Sequence, residues 1–269
     1  MTVRIEKHGP VWTVVHSRPE ARNAMDPASA DALVAAMLEF DRDPSAAVAV
    51  LWGEGPCFCA GWDLKYAASL ESQADGLAHL DFPEEADGQS PTPRGPLGPT
   101  RLDLSKPVIA AIEGAAVAGG MELALWCDLR VMAHDAYTGV YCRRWGIPLL
   151  DGGTVRLPRL VGQGRAMEII LTGRKVPAEE CHRIGFCERL APPGQSRAVA
   201  EQLAQEIARF PQDAVRSDRR SVYRQHGLAV RPALESEWDT SVDAVRSQGA
   251  SGAGRFESGK GRHGDFTNI

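Results

Sequence analysis

The chain has 269 residues, of which 43% are hydrophobic and 24% charged, with a formal net charge of −5. That composition is globular and excludes a disordered or fibrous protein. The acidic balance argues against nucleic acid as a partner held by a wholly basic surface. No run of about 18 apolar residues occurs, so no membrane span is expected.

Residues 1–7 mix charge and lack the apolar core of a signal peptide. The six cysteines, Cys57, Cys59, Cys127, Cys142, Cys181 and Cys187, include no Cys-x-x-Cys pair, so zinc-ribbon and thioredoxin readings fail. Reduced thiols in a cytoplasm are expected.

Residues 11–15 (VWTVV) form a β-branched run after Gly9-Pro10 and read as a strand. Asp26-Pro27 starts a helix, with Asp as N-cap and Pro at the first helical position. Residues 47–52 (AVAVLW) are an unbroken apolar strand stopped by Gly53-Glu54-Gly55-Pro56, and residues 57–59 read as a strand end. Residues 66–104 carry Pro83, Pro91, Pro93, Pro96 and Pro99 among glycines and acids. A segment of that length is a lid over a site, a partly disordered stretch or a surface insertion.

Residues 108–112 (VIAAI) are a further apolar strand, and residues 129–133 a weaker one. Apolar strands alternating with helices indicate sheets covered on both faces, hence an α/β protein. Helices are expected at 166–172, 177–184, 197–210 and 233–245. The tail, 249–264, is rich in Gly and Ser with Phe256 and Lys260 embedded, which weakens a helix there.

Two places carry chemistry. In residues 57–65 (CFCAGWDLK), Gly61 allows a sharp turn after a strand. In residues 114–125 (GAAVAGGMELAL), a strand runs through small residues into a helix opened by Gly119-Gly120. A helix start leaves N–H groups unpaired and carries partial positive charge, which suits a developing negative charge. Each feature alone is also an ordinary structural device. Glu122 is either an acid favoured by the helix dipole or, among Met121, Leu123, Ala124 and Leu125, a buried carboxylate with a raised pKa.

Together the runs CFCAGWDLK, KPVIAAIEGAAVAGGMELALWCDLRV and GIPLLDGGTVRLPRLVGQGRAMEIILTGRKVPAEE, with PEARNAMD upstream, resemble the crotonase, or enoyl-CoA hydratase/isomerase, superfamily over residues of about 10 to 210. The resemblance implies an α/β fold with a spiral of ββα turns over residues 1–195, the 66–104 loop over the site, and a C-terminal helical trimerisation region over 196–269. It implies a homotrimer or hexamer and an acyl-CoA substrate, with CoA belonging to the substrate and no separate cofactor or metal. By motif position the N–H groups of Trp62 and Gly119 would hold the thioester oxygen, and Glu122 would be the acid–base. Arg22, Ala24, Ala60, Asp63, Leu64 and Lys65 would contact CoA, Lys65 meeting a phosphate; Arg22 and Lys65 are otherwise solvated surface cations. Phe256 and Lys260 would close over CoA from the tail.

One departure bears on the reaction. Hydratases of the family use a second glutamate four residues before the glycine of the next motif. Counting back from Gly146 gives Cys142. The nearest acid is Asp151, a turn residue or an assisting carboxylate. Hydration remains the leading expectation. Isomerisation or other enolate chemistry on the thioester, and acyl-CoA binding with little turnover, remain alternatives. Tyr141, Arg143, Arg144 and Trp145 face either the acyl site or a subunit contact.

Overall fold

The computed structural model describes residues 2–70, 76–83 and 92–266. The chain opens with β1 (Val3–His8) and β2 (Val11–His16), an antiparallel pair, followed by α1 (Pro27–Arg42). The Asp26 side chain accepts the Ser29 N–H at 2.8 Å, so the Asp-Pro start works as the sequence indicates.

Three ββα turns follow. The first is β3 (Val48–Gly53), β4 (Cys57–Cys59) and α2 (Leu64–Ser69). The second is β5 (Val108–Ile112), β6 (Ala115–Val117) and α3 (Gly119–Trp126). The third is β7 (Leu129–Ala133), β8 (Tyr137–Gly139) and α4 (Gly153–Val161). The chain then runs through α5 (Gln163–Thr172), β9 (Val176–Pro177), α6 (Ala178–Arg183), β10 (Arg189–Ala191) and α7 (Ser196–Ala208). It ends with α8 (Gln212–Arg224), α9 (Val230–Ala244) and α10 (Ala250–Glu257).

The first strand of each turn enters a six-stranded sheet of order β1-β2-β3-β5-β7-β10. The second enters a four-stranded sheet of order β4-β6-β8-β9. Each turn therefore steps from one sheet to the other, which is the spiral that the family resemblance implies. In the larger sheet side chains alternate between two apolar layers. Val48, Val50, Ile109 and Ala111 pack against Ala200, Leu203 and Ala204 of α7, while Ala49, Leu51, Ala110 and Ile112 face the main core. Because α7 covers this sheet, the core includes its residues; the expected boundary at 195/196 falls immediately before it. From α8 onward none of the described residues joins either buried apolar cluster. The tail continues in helix through a π-turn at Val245–Gly249 into α10, despite Gly252 and Gly254. No helix among the described residues is long and apolar enough to cross a membrane.

Of the 66–104 segment, residues 71–75 and 84–91, including Pro91, lie outside the described residues. Residues 92–104 are not a surface insertion: Leu97 and Thr100 are each 1% exposed. Gly95 and Gly98 exchange N–H···O bonds of 3.0 and 2.9 Å in a tight turn that presses against α1.

One side chain in β2 breaks the polar-pairing rule. His16 is buried, and neither ring nitrogen has a hydrogen-bond partner among the described residues. Burial, reinforced by the Arg18 charge, lowers its pKa from 6.5 to about 4. The unfolded chain then takes a proton that the fold refuses. Stability present above pH 6.5 is lost as pH falls through about 4. His16→Leu is expected to flatten that acid slope, which at about 1.4 kcal/mol per pKa unit amounts to roughly 3 kcal/mol at most. Urea midpoints at pH 7 and pH 4.5 measure it, and an identical slope in both proteins rejects this account.

Candidate active site

The two Gly-containing turns meet. After β4, the 60–63 segment pairs with the loop before α1: the Ala60 N–H donates to Arg22 O, Met25 N–H to Gly61 O and Asp63 N–H to Met25 O. The bonds of this parallel bridge flank Trp62, whose own N–H therefore points away from the loop. Gly61 takes φ +98, a conformation that L side chains rarely adopt. A β-carbon built on it would lie 3.0 Å from Gly119 N, which measures how closely the second turn approaches. That turn is built on Ala118, held at φ 55, ψ −126 without a glycine's freedom. Strain of this kind costs on the order of 1–3 kcal/mol and survives where surrounding packing enforces it. It turns the chain so that Met121 and Glu122 N–H donate back to Ala118 O, leaving the Gly119 N–H ahead of the first helical bond. Among the described residues neither the Trp62 nor the Gly119 N–H has a partner, and both residues line one cavity of about 380 Å³.

Glu122, one turn into α3, lines the same cavity and is 2% exposed. Its Oε1 accepts the N–H groups of Asp151 at 2.9 Å and Gly153 at 2.8 Å. Burial, with the Asp151 charge adding to it, raises its pKa from 4.5 to about 7 against the pull of those donors. A carboxylate poised there both takes and returns protons near neutral pH.

Asp151 also lines the cavity. Its Oδ1 accepts from Leu97 N–H at 3.1 Å and from the Thr100 hydroxyl, and burial raises its pKa. Arg156 locks this arrangement by donating to Asp151 O at 2.9 Å and Thr100 O at 2.7 Å. The 95–101 strap is thereby tied to the turn that holds Glu122, and its Pro96 and Leu97 form cavity wall. Sequence reading missed Leu97, Thr100 and Arg156, because their partners lie far along the chain. It also missed Asn23. That buried amide donates to Glu54 O and Cys57 O at 3.0 and 2.6 Å, pinning the Arg22 loop to the strand end.

Cys142 stands in the cavity wall, 7% exposed, and burial pushes its thiol up, with the Glu122 charge adding to it. A protonated thiol is a poor nucleophile. Tyr141, Arg144 and Trp145 also line the cavity, whereas Arg143 does not.

Of the residues expected at CoA, Arg22, Ala60 and Leu64 line the cavity, whereas Ala24, Asp63 and Lys65 do not. Asp63 is engaged elsewhere: its carboxylate caps α2 through the Lys65 N–H at 2.9 Å and pairs with Arg18 at 3.1 Å. Ala24 lends its carbonyl to the same Arg18. Phe256 is 60% exposed and, like Lys260, is absent from the cavity wall. All six cysteines are free, and no cluster of three metal-ligating side chains occurs among the described residues.

The enoyl-CoA hydratase/isomerase family model matches residues 6–251. An enoyl-CoA hydratase of Mycobacterium tuberculosis, EchA19, is 31% identical over 253 residues, spanning 91% of this chain and 89% of that protein. The carnitinyl-CoA dehydratase of Salmonella typhi is 36% identical over 208 residues, 77% of this chain and 74% of its own. Among solved structures, an enoyl-CoA hydratase from Mycobacterium tuberculosis superimposes with a TM-score of 0.85 at 34% identity, covering 96% of each chain. The enoyl-CoA hydratase EchA1 of Mycobacterium marinum does so with 0.84 at 32%, again over 96% of each. The ββα spiral is thus shared with solved structures of enoyl-CoA hydratases. The chain belongs to the enoyl-CoA hydratase/isomerase family.

Proposed function

We propose that this protein adds water across the 2,3-double bond of an enoyl-CoA. The thioester oxygen lies between the Trp62 and Gly119 N–H groups, which stabilise the enolate formed as water attacks C3. One such donor is worth about 3–4 kcal/mol to the transition state. Glu122 takes the proton from water and returns one to C2. The observation that carries this reading is the Glu122 carboxylate, buried, fixed by two main-chain donors and brought to a pKa of about 7. Asp151 assists as the neighbouring acid that keeps Glu122 basic, and Cys142 serves as wall. Hydration moves only protons and hydroxyl, so it calls for no redox cofactor, and CoA enters with the substrate. Arg22, Ala60 and Leu64 receive the CoA arm, and exposed Lys65 is the cation nearest in sequence for a CoA phosphate.

The same reading includes a homo-oligomer, a trimer or hexamer, working in a reducing cytoplasm. Val230, Leu234, Trp238 and Val245 are 77%, 59%, 66% and 65% exposed, and apolar surface in such a concentration marks a protein contact.

The test is a panel of 2-enoyl-CoA thioesters followed by mass spectrometry. A product heavier by one water, with loss of the conjugated absorbance, is expected. Unchanged mass with a migrated double bond replaces hydration by isomerisation. Binding without turnover leaves an acyl-CoA-binding protein.

A further inference from the structure

The Trp62 amide is aimed by a very short piece of backbone pairing. Met25 and Trp62 form an isolated parallel bridge outside both sheets, made by Met25 N–H to Gly61 O at 2.8 Å and Asp63 N–H to Met25 O at 2.9 Å. Pairing of two segments without a sheet is marginally stable by itself. Each arm of this bridge runs directly into a helix. Asp26, one residue after Met25, starts α1, and Asp63, one residue after Trp62, starts α2. The two carboxylates divide their oxygens in the same way. Asp26 Oδ1 accepts the Ser29 N–H at 2.8 Å and Asp63 Oδ1 accepts the Lys65 N–H at 2.9 Å. Both Oδ2 atoms turn to one guanidinium. Arg18 Nη2 lies 3.2 Å from Asp26 Oδ2 and 3.1 Å from Asp63 Oδ2, and Nη1 donates to Ala24 O at 2.5 Å. The Arg18 backbone is fixed in turn. Its N–H donates at 2.7 Å to Asn23 Oδ1, and the Asn23 amide holds Cys57 at the start of β4.

Resting on the acyl-CoA reading of the site, we propose that Arg18 is a positioning residue for the reaction, clasping the two capping aspartates so that the Trp62 N–H stays aimed at the thioester oxygen. A guanidinium is a planar fork of donors, so it fixes the angle between its partners as well as their distance, which a lysine's point charge does not. Its partners stand one on each arm of the bridge, and closing the fork on both holds Met25 and Trp62 in register. Two observations separate this role from ligand binding. Arg18 is not part of the described cavity wall, so it reaches the reacting atoms only through Trp62. Its single positive charge faces two carboxylates, so an incoming phosphate meets negative charge there instead of a free cation. The side chain is 16% exposed, which spares these pairs much of the screening that weakens surface ones. An oxyanion donor works by being held in advance where the charge will develop, and the clasp supplies that hold.

The experiment reads the carbonyl itself. Butyryl-CoA, isotopically labelled at its thioester carbonyl, has no double bond to hydrate. Infrared difference spectra of it bound to the intact protein are expected to show the carbonyl band moved to lower frequency by the two N–H donors. Arg18→Met is expected to return part of that shift and, with a 2-enoyl-CoA, to lower kcat by about 10²-fold, the effect of a displacement of about 1 Å. KM is expected to change little, because a donor aimed at the developing oxyanion is felt in the transition state. Asp63→Asn keeps an oxygen for the Lys65 N–H, so α2 stays capped, and removes a charge that holds Arg18. It is expected to move the band and kcat the same way. Arg18→Lys is expected to fall between native and Arg18→Met. A brace with no bearing on the amide would lower the thermal midpoint and leave the band in place. An unmoved band in both Arg18→Met and Asp63→Asn therefore overturns the proposal, as does a loss confined to KM, which makes Arg18 a binding residue. The result is separable from hydration. A native protein that shifts the band without adding water refutes hydration, and the bands of the variants still decide the clasp. A native protein that binds the thioester without shifting its carbonyl refutes the two-amide site, and the proposal falls with it.

Discussion

Glu122→Gln is expected to lower enoyl-CoA turnover by at least about 10²-fold and, in the same protein, to raise stability above neutral pH. Glutamine keeps the size of the side chain and an oxygen for the Asp151 and Gly153 N–H groups. It cannot exchange a proton. In the native protein kcat/KM is expected to rise with pH through about 7 as the carboxylate ionises, and glutamine removes that limb. The stability effect follows from the same shift. The folded state holds the Glu122 proton up to about 7, the unfolded chain only to about 4.5. The stability this confers is complete below 4.5 and is lost as pH rises through 7. At about 1.4 kcal/mol per pKa unit the native protein forgoes roughly 3 kcal/mol at most above pH 7, and glutamine restores part of it. Thermal midpoints at pH 5 and pH 8, beside steady-state rates, measure both halves. Turnover within a few fold of native removes Glu122 from the chemistry.

Gly120→Ala is expected to be the most damaging single methyl in the molecule. An added β-carbon would sit 2.0 Å from the Cys59 carbonyl oxygen and 2.7 Å from its carbon. These are main-chain atoms with no rotamer to yield, so the start of α3 must move off β4. Overpacking of this kind costs about 1–3 kcal/mol, and more where backbone must shift. The shift carries Gly119 N–H and Glu122 together, and a displacement of about 1 Å at reacting groups costs on the order of 10²-fold in rate. Urea unfolding and turnover are the measurements. A variant within about 0.5 kcal/mol of native with normal turnover shows that the contact is not as tight as drawn.

Much of this protein was legible in its residues. The strands at 108–112 and 129–133 are where the apolar runs put them, since strands buried on both faces need no alternation to be seen. The Asp26 cap and the Gly173 stop act through neighbours within four residues, so sequence contains both partners. The order of the Gly61 and Gly119-Gly120 turns identified the family. Less visible were β6 and β8, three residues each, which owe their form to strands on either side of them. The helix α8 was missed for a related reason: only Ser221 in it is buried, so no apolar stripe announces it.

Composition, strand runs and motif order determined that this chain is an α/β enzyme of the enoyl-CoA hydratase/isomerase family. Tertiary structure alone decided that Glu122 is buried against Asp151, that Leu97 and Thr100 anchor that acid, and that Asp63 serves a cap and Arg18 instead of the cavity. The division has one cause. Caps, stops and apolar runs are local, with both partners inside one stretch of sequence. Desolvation, carboxylate pairing and cavity shape depend on segments that meet only after folding, and their energies are set by distances that no local pattern contains.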